Sequence, residues 1–432
     1  MRYIILLLAL LYSAPSFAAE GTVTAQADTL RLVWLAICCA LVLVMQVGFL
    51  LLEGGLVRSK NSINVILKNF TDVGLGTVGY WAIGFGLMFG LNESGFIGTS
   101  SFFYSPQGGS ETINLLYNMM FAATAATIMS GAVAERFSFV PYIIGAFFVT
   151  SVIYPIFGSW AWGGLDDPAN QGWLGALGFY DMAGATVVHS IGGWAALGAL
   201  ILIGPRTGRF GRKGGVNDIP GHSLPYVAIG GFFLWFGWFG FNGGAVNEDM
   251  SNLGQILLNT HAGSIGGICG AIFWLWVTKR GFLMTWIVNG ALGGLVSVTA
   301  GADVFSIGSS LLAGALGGVL VVITSNILAS YKIDDVVGAI PVHGFCGAWG
   351  TLAVGLFYQG DLFNIERIMV QMVGIVVALI WGLGSSLLIF FLINKVAKLR
   401  VTTREEQRGL DISEHKEIGY SDFMTTHARA DV

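Results

Sequence analysis

The composition of the chain excludes an ordinary soluble protein. Of 432 residues, 54% are hydrophobic and only 11% are charged, whereas soluble domains carry about a quarter charged residues. The net charge of −4 indicates no particular partner, and no nucleic acid is expected, because the charges are confined to loops and tails. The sequence has no nucleophile–base set, phosphate-binding loop or metal-ligand cluster, so we predict neither an enzyme nor a bound cofactor or metal.

The first residues are typical of a secretory signal peptide. Arg2 precedes an apolar stretch from Tyr3 to Leu11, and Ser16 and Ala18 supply small side chains at the −3 and −1 positions of a cleavage site. This arrangement is the usual signal-peptide pattern. We therefore expect residues 1–18 to be removed, which leaves the mature N-terminus outside the cytoplasm.

Apolar runs of about 20 residues, long enough to cross a bilayer, follow one another along the chain. They predict an all-α integral membrane protein with about eleven transmembrane helices. The predicted helices lie at residues 31–54, 65–90, 113–134, 138–159, 182–204, 225–244, 255–278, 282–300, 306–328, 336–358 and 367–395. Residues 27–398 then form a membrane domain, and residues 399–432 form a polar cytoplasmic tail too short for a domain of its own.

The charges in the loops predict the orientation of these helices. Basic residues occupy alternate loops, beginning with Arg58 and Lys60, and they recur in the tail. The intervening loops are mainly acidic, with Arg367 as their one basic residue. Cytoplasmic loops are enriched in lysine and arginine. An outside N-terminus, an inside C-terminus and an odd number of spans are therefore mutually consistent.

Two pairs of similar motifs indicate an internal duplication. Residues 181–193 and 335–347 share the pattern Asp-x6-Val-His-x3-Gly, and residues 48–55 and 237–244 share Gly-aromatic-x4-Gly-Gly. Because the matched motifs lie five predicted helices apart, the two halves must have opposite orientations in the membrane. This is the inverted-repeat plan of many transporters. We predict a 5+5 repeat with an eleventh helix appended.

The duplicated motif contains one histidine in each half. Eight helical residues rise about 12 Å, so His189 and His343 approach the middle of a hydrocarbon core about 30 Å thick from opposite faces. Ionisable residues at that depth are costly and are functional candidates. The alternatives are a purely structural pair of neutral imidazoles and a metal site, although the latter lacks carboxylate or cysteine ligands nearby. We favour a polar pair lining an apolar pore, which suits a small molecule that donates and accepts hydrogen bonds.

These motifs together resemble the ammonium transporter family (Amt/Mep, with the Rh proteins as relatives), in particular its bacterial Amt type. The similarity extends over about residues 27–420, with the motifs in the expected order. The matching segments are residues 181–189, Phe121 with 131–136, 237–244, 341–347, 399–401 and 409–411. The resemblance implies a homotrimer in the inner (plasma) membrane, with one pore in each subunit. Each pore would admit ammonium, ammonia and methylammonium for nitrogen uptake.

The resemblance also implies roles for individual residues. The implied outer site consists of Trp162, Phe121, Tyr117, Asp181 and Ala245. The implied gate is formed by Phe121 and Phe241, and the implied pore is lined by His189, His343 and Trp238. Ammonium would lose a proton at the outer site, since a desolvated pore lowers the pKa of a cation. Simpler roles remain open: an apolar helix contact for the two phenylalanines, a membrane-interface position for Trp162 and a helix cap for Asp181.

Three positions depart from the pattern of the family, and at the first of them Tyr117 stands in place of a phenylalanine as the second outer aromatic residue. Ala245 stands where many members have a serine hydroxyl, so one hydrogen bond to ammonium is in doubt. Glu53 lies near the inner end of the first helix, where many bacterial members have aromatic residues. Glu53 either faces the inner vestibule or pairs with Arg58 or Lys60, and the sequence does not decide between these arrangements.

Several functional hypotheses are compatible with this sequence. The leading one is an ammonium transporter; the alternatives are a neutral gas channel for ammonia or carbon dioxide, and an ammonium sensor that would need a separate signalling partner. The tail motifs further suggest that a PII-type regulatory protein docks at the cytoplasmic face. The competing interpretation is that the tail packs only against its own trimer.

Overall fold

The computed structural model describes residues 20–164, 170–211, 215–246 and 250–421. The described residues are mainly helical, and their only β-type pairings are two isolated bridges. We label the long helices α1 to α11. Their bounds are Glu20–Leu56 (α1), 62–89 (α2), Gly109–Ala132 (α3), Phe139–Trp162 (α4), Ala185–Ile203 (α5), Leu224–Gly243 (α6), Leu253–Val277 (α7), Met284–Thr299 (α8), Ile307–Ser330 (α9), Ile340–Phe357 (α10) and Ile365–Val396 (α11). The predicted signal peptide lies outside the described residues.

Nine of the described helices are long and apolar enough to cross a membrane. The other two long segments are α2 and α8. Helix α2 is interrupted by two π-helical turns, at Asp72–Gly76 and Tyr80–Gly84, and α8 has only 16 residues. Each helix begins and ends within four residues of its prediction, except that α1 begins at Glu20 rather than at residue 31.

Glycines allow the two halves of the chain to approach closely where α5 meets α10. A Cβ atom on Gly193 would lie 2.4 Å from the backbone nitrogen of Gly344, and one on Gly347 would lie 2.2 Å from the carbonyl oxygen of Ala185. Any larger side chain would therefore push the helices apart. Small residues serve this purpose in membrane helix packing generally. The close contact brings the two histidine-bearing segments of the repeat together.

Loops that the sequence predicts to be cytoplasmic meet at one end of the bundle. The Glu135 carboxylate pairs with Arg58 at 2.5 Å and with Arg206 at 3.5 Å, and Arg206 also pairs with Asp334 at 2.8 Å. Burial alone raises the pKa of Asp334, but the hydrogen bond and charge of Arg206 outweigh burial and lower the pKa to about 2. The loops after α1, α3, α5 and α9 are thus tied together by buried ion pairs.

Loops that the sequence predicts to be external meet at the opposite end. The Tyr180 hydroxyl donates a hydrogen bond to Asp303, and the Gln359 amide nitrogen donates one to the Val304 carbonyl at 2.8 Å. Burial raises the pKa of Asp303. These contacts join the loops before α5, α9 and α11.

The described part of the tail, residues 399–421, folds back against the basic end of the bundle. Asp411 accepts hydrogen bonds from the backbone nitrogens of Ile63, at 3.1 Å, and Asn64, at 2.8 Å. Nε2 of His222 lies 2.6 Å from the Tyr420 hydroxyl. The tail therefore contacts the start of α2 and the loop between α5 and α6.

Candidate functional site

The two aspartates of the repeat cap equivalent helices. The Asp181 carboxylate accepts four backbone N–H groups, from residues 184–187, at 2.8 to 2.9 Å. The Asp335 carboxylate accepts those of Gly338, at 2.9 Å, and Ile340, at 2.7 Å. Gly184 and Gly338 have φ angles of 98° and 81°, which favour glycine. Asp181 therefore has the capping role that we considered for it, and its oxygens are fully engaged by the backbone.

Both histidines lie on π-helical turns. His189 belongs to the turn Ala185–Ser190, and His343 belongs to Ile340–Phe345. Such turns are rare and occur frequently at functional sites. A π-turn widens the helix locally and changes the direction of each side chain. The sequence motifs did not predict these two turns.

The histidines meet in the centre of the molecule. Their Nδ1 atoms are 3.2 Å apart, and their ring centroids are 5.2 Å apart with an interplanar angle of 25°. His189 is 0% exposed and His343 is 5% exposed. Nε2 of His189 is buried and has no hydrogen-bond partner among the described residues. A buried polar atom of this kind normally has a partner, so the geometry offers a small ligand a hydrogen bond.

Aromatic rings surround His189. Its ring stacks on Trp238 with centroids 4.9 Å apart, and the Phe241 centroid lies 5.1 Å away. The Trp238 indole nitrogen donates a hydrogen bond of 2.9 Å to the Thr299 hydroxyl. That bond holds the indole against the imidazole. Thr299 had no role in our sequence interpretation, since no motif includes it.

The two phenylalanines of the predicted gate stack face to face next to the histidines. The Phe121 and Phe241 centroids are 4.1 Å apart at an interplanar angle of 16°. The Tyr117 ring lies 4.5 Å from Phe121, and its hydroxyl donates to the Phe241 carbonyl. The predicted gate residues are therefore in contact with each other and, through Phe241, with His189.

Of the remaining residues of the predicted outer site, Trp162 lies beside Phe121. The Trp162 ring is 6.3 Å from Phe121, and its indole nitrogen donates to the Asp181 carbonyl at 2.7 Å. Trp162 is buried, and Ala245 is partly buried against the hydrophobic core. Trp162 and Asp181 are thus coupled directly, and the aromatic faces remain the main contacts available to a cation.

A cavity lies on the other side of the histidine pair. It has a volume of about 20 Å³, room for about one water molecule, and its lining includes Phe49, Glu53 and His343. We call it the inner cavity because it faces the end of the bundle with the basic loops. Glu53 faces this cavity, whereas Arg58 pairs with Glu135 instead. The structure therefore favours the vestibule position for Glu53 over a pairing with Arg58.

Comparisons with known proteins define the class of this chain. Residues 33–420 match the sequence profile of the Ammonium Transporter Family. The chain is 40% identical over 424 residues to Ammonium transporter Amt2 of Archaeoglobus fulgidus, covering 91% of this chain and 89% of that protein. It is 38% identical over 435 residues to Ammonium transporter Amt1 of Haloferax mediterranei, covering 95% and 81%.

Solved structures support the same assignment. The structure named Sensor Amt Protein matches with a TM-score of 0.87 and 39% identity, over 90% of this chain and 99% of that one. Candida albicans Mep2 matches with a TM-score of 0.80 and 26% identity, over 93% and 92%. The chain is a multi-pass membrane protein of the transporter class. It belongs to the ammonium transporter family, whose curated relatives are named as transporters rather than enzymes.

Proposed function

We propose that the chain moves ammonium, as ammonia and a proton, and also methylammonium, through a pore lined by His189 and His343. The observation that carries this proposal is the buried, unpartnered Nε2 of His189 directly beyond the stacked Phe121 and Phe241. An imidazole pair can both donate and accept hydrogen bonds. It therefore suits ammonia, which also does both.

The outer site recruits the cation by its aromatic faces. Phe121, Tyr117 and Trp162 form a group of rings at the entrance to the stacked pair, and a small cation is attracted to such faces. Beyond the gate the surroundings are buried and largely apolar, which lowers the pKa of ammonium and promotes its deprotonation. Potassium has no proton to lose, so chemistry rather than size excludes it.

We further propose the membrane arrangement that the loop charges predict. In this arrangement residues 1–18 are a signal peptide, residues 27–398 cross the inner membrane eleven times as a 5+5 inverted repeat plus one helix, and residues 399–432 are cytoplasmic. The clustering of Arg58, Arg206 and Arg209 with acidic partners at one end of the bundle supports an inside location for that end.

Two assembly proposals follow from family membership. We propose that three copies assemble, each with its own pore. We also propose that a PII-type regulatory protein docks at the cytoplasmic face, where the tail lies against the loops of the bundle. A pull-down that stayed empty at every nucleotide and 2-oxoglutarate condition would remove the PII proposal.

A current measurement separates this function from a neutral gas channel and from a sensor. The purified protein is reconstituted in liposomes adsorbed to a solid-supported membrane, and pulses of ammonium, potassium and sodium are applied at equal ionic strength. Transport predicts a saturable current with ammonium and methylammonium only. Ammonium binding or pH equilibration without a current favours a gas channel or a sensor. A potassium current contradicts the proposed selectivity.

A further inference from the structure

A buried carboxylate faces the inner cavity and takes no part in the mechanism proposed above. Glu53 is 1% exposed and lines the same cavity as His343. Its Oε2 atom accepts a hydrogen bond of 2.6 Å from the Ser130 hydroxyl and one of 2.9 Å from the Asn69 amide. An ionisable side chain buried in a membrane protein is expensive and usually functional.

Glu53 belongs to a network that contains a second buried carboxylate. Glu53 interacts electrostatically with Asp72, which accepts a hydrogen bond of 2.6 Å from the Tyr142 hydroxyl. Glu53, Ser130, Tyr142 and Asp72 are all at most 1% exposed. The two carboxylates are thus buried close enough to influence each other's ionisation.

The buried charges around Glu53 favour binding of a proton there. Lys68 is buried beside it, with Nζ 5.2 Å from the centre of the Tyr142 ring and 3.0 Å from the Phe137 carbonyl. Lys68 interacts electrostatically with the carboxylates of Glu414, Asp72 and Glu53 and with the like charge of Arg136. Its single positive charge is therefore shared among several carboxylates, and Glu53 and Asp72 also interact with each other. Buried like charges that share a site do not both ionise readily.

We propose that Glu53 binds and releases a proton at the inner end of the pore. This inference rests on the proposed ammonium transport. The proton removed from ammonium at the outer site passes the histidine pair and binds to a Glu53 carboxylate oxygen. Ammonia leaving His343 then takes that proton, so a carboxyl O–H bond breaks, an N–H bond forms, and ammonium and a carboxylate remain.

Glu53 is better placed for this role than the other members of the network. Of the two carboxylates, Glu53 lines the inner cavity, whereas Asp72 is not among the residues that line it. The titratable or charged groups that interact with Glu53 are Lys68 and Asp72 on α2 and Tyr142 on α4, with His343 of α10 on the same cavity. We therefore assign the exchange with substrate to Glu53 and the electrostatic balance to Asp72 and Lys68.

The test compares ammonium-evoked currents of the full-length wild-type protein, Glu53→Gln and Glu53→Asp in proteoliposomes between pH 5 and pH 8. Glutamine keeps the size and the acceptor oxygen but cannot bind a proton. Loss of a proton-transfer group typically costs about 100-fold or more in rate, and we expect a fall of that order in Glu53→Gln. Glu53→Asp should restore much of the current with a shifted pH profile. Asn289→Ala is the control: Asn289 lines the same cavity but does not titrate, so its pH profile should match the wild type.

Each outcome supports or overturns the proposal. Glu53→Gln that assembles normally but keeps its current within about twofold, with an unchanged pH profile, overturns it and leaves ammonium transport intact. A wild-type protein without ammonium current overturns the proposed function and this inference together. If Glu53→Gln does not fold, infrared difference spectra of the wild type and Glu53→Asp test the proposal instead. Perfusion with ammonium should change a protonated-carboxyl band, and the frequency of that band should differ in Glu53→Asp. The absence of such a band overturns the proposal.

Discussion

Nδ1 of His189 lies 3.2 Å from Nδ1 of His343, although the two residues belong to different halves of the chain. At this distance one imidazole donates a hydrogen bond and the other accepts it, which orients both rings. The atoms facing away from the shared bond are the Nε2 atoms. The His189 ring lies next to Phe241 of the predicted gate, and His343 lines the inner cavity, so the pair lies between the two.

The stacked gate should contribute to ammonium affinity. Phe121→Leu keeps an apolar side chain next to Phe241 but removes one aromatic face. A desolvated cation–π contact is worth about 1–2 kcal/mol, so we expect the KM for ammonium to rise about 5- to 30-fold. Saturation curves of the evoked current measure this. Phe305→Leu, which changes another buried phenylalanine, is the matched control and should leave KM unchanged; equal effects in both variants would remove the gate role.

Substituting the two capping aspartates in turn distinguishes their role in helix stability from a role of Asp181 in ammonium binding. Asp181→Asn and Asp335→Asn each leave backbone N–H groups without an acceptor, at about 1–3 kcal/mol per group. Both variants should therefore show lower thermal stability in detergent. Of the two aspartates, Asp181 is the one next to Trp162 of the outer site, whose indole nitrogen donates to its main-chain carbonyl. Its negative charge is therefore near the cation, and only Asp181→Asn should also weaken ammonium affinity, by about tenfold. The electrostatic role of Asp181 would be wrong if both variants kept the wild-type KM.

The outer site should gain affinity when a hydroxyl is restored. Ala245→Ser adds a hydrogen-bonding group at a partly buried position, directly after Gly244, which packs against the Tyr117 ring. A net hydrogen bond is worth about 0.5–1.5 kcal/mol, so the KM for ammonium should fall about two- to tenfold. Ala245→Cys, with a similar size and a weak donor, is the control. An unchanged KM in Ala245→Ser would show that this position does not face the substrate.

The cytoplasmic ion pairs should stabilise the bundle in a pH-dependent manner. The pKa of Asp334 is lowered in the folded state to about 2, because the hydrogen bond and charge of Arg206 outweigh burial. The resulting stability, about 2 kcal/mol, is therefore present above the unfolded pKa of about 3.9 and is lost as the pH falls toward 2.

Removing the acidic partner tests this dependence. Asp334→Asn leaves Arg206 buried with one partner fewer and should lower the unfolding free energy by about 3–5 kcal/mol at pH 7. The difference from wild type should shrink as the pH falls below about 4. Thermal unfolding in detergent over this pH range is the measurement. Asp218→Asn removes a fully exposed partner of Arg209 and should change stability little; a pH-independent difference for Asp334→Asn would contradict the assignment.

Much of the fold was predictable because the bilayer imposes a simple rule on the sequence. Apolar runs reveal each long helix, and the spacing Asp-x6-Val-His predicts equivalent positions for His189 and His343 in the two halves. The contact between the histidines follows from this duplication together with the small residues at Gly193 and Gly344, which permit the helices to touch.

Other features depend on long-range contacts that no local pattern encodes. The π-helical turns arise where tertiary packing and the aspartate caps compete with regular helical hydrogen bonds, and the sequence around His189 has no proline or polar run that marks them. The environment of Glu53 is set by Asn69 and Ser130, from two other helices. The sequence showed that Glu53 is unusual but left its partners undecided.

The most direct test of the central claim is the ammonium-evoked current of the wild type beside that of the His189→Ala/His343→Ala double variant, both reconstituted at matched protein density. Size-exclusion and thermal-unfolding profiles establish that the variant is folded. If ammonia and its proton pass between the two imidazoles, the wild type gives a saturable current with ammonium and none with potassium, and the double variant loses either the current or the discrimination against potassium. A double variant that keeps both the current and the selectivity of the wild type would contradict the account.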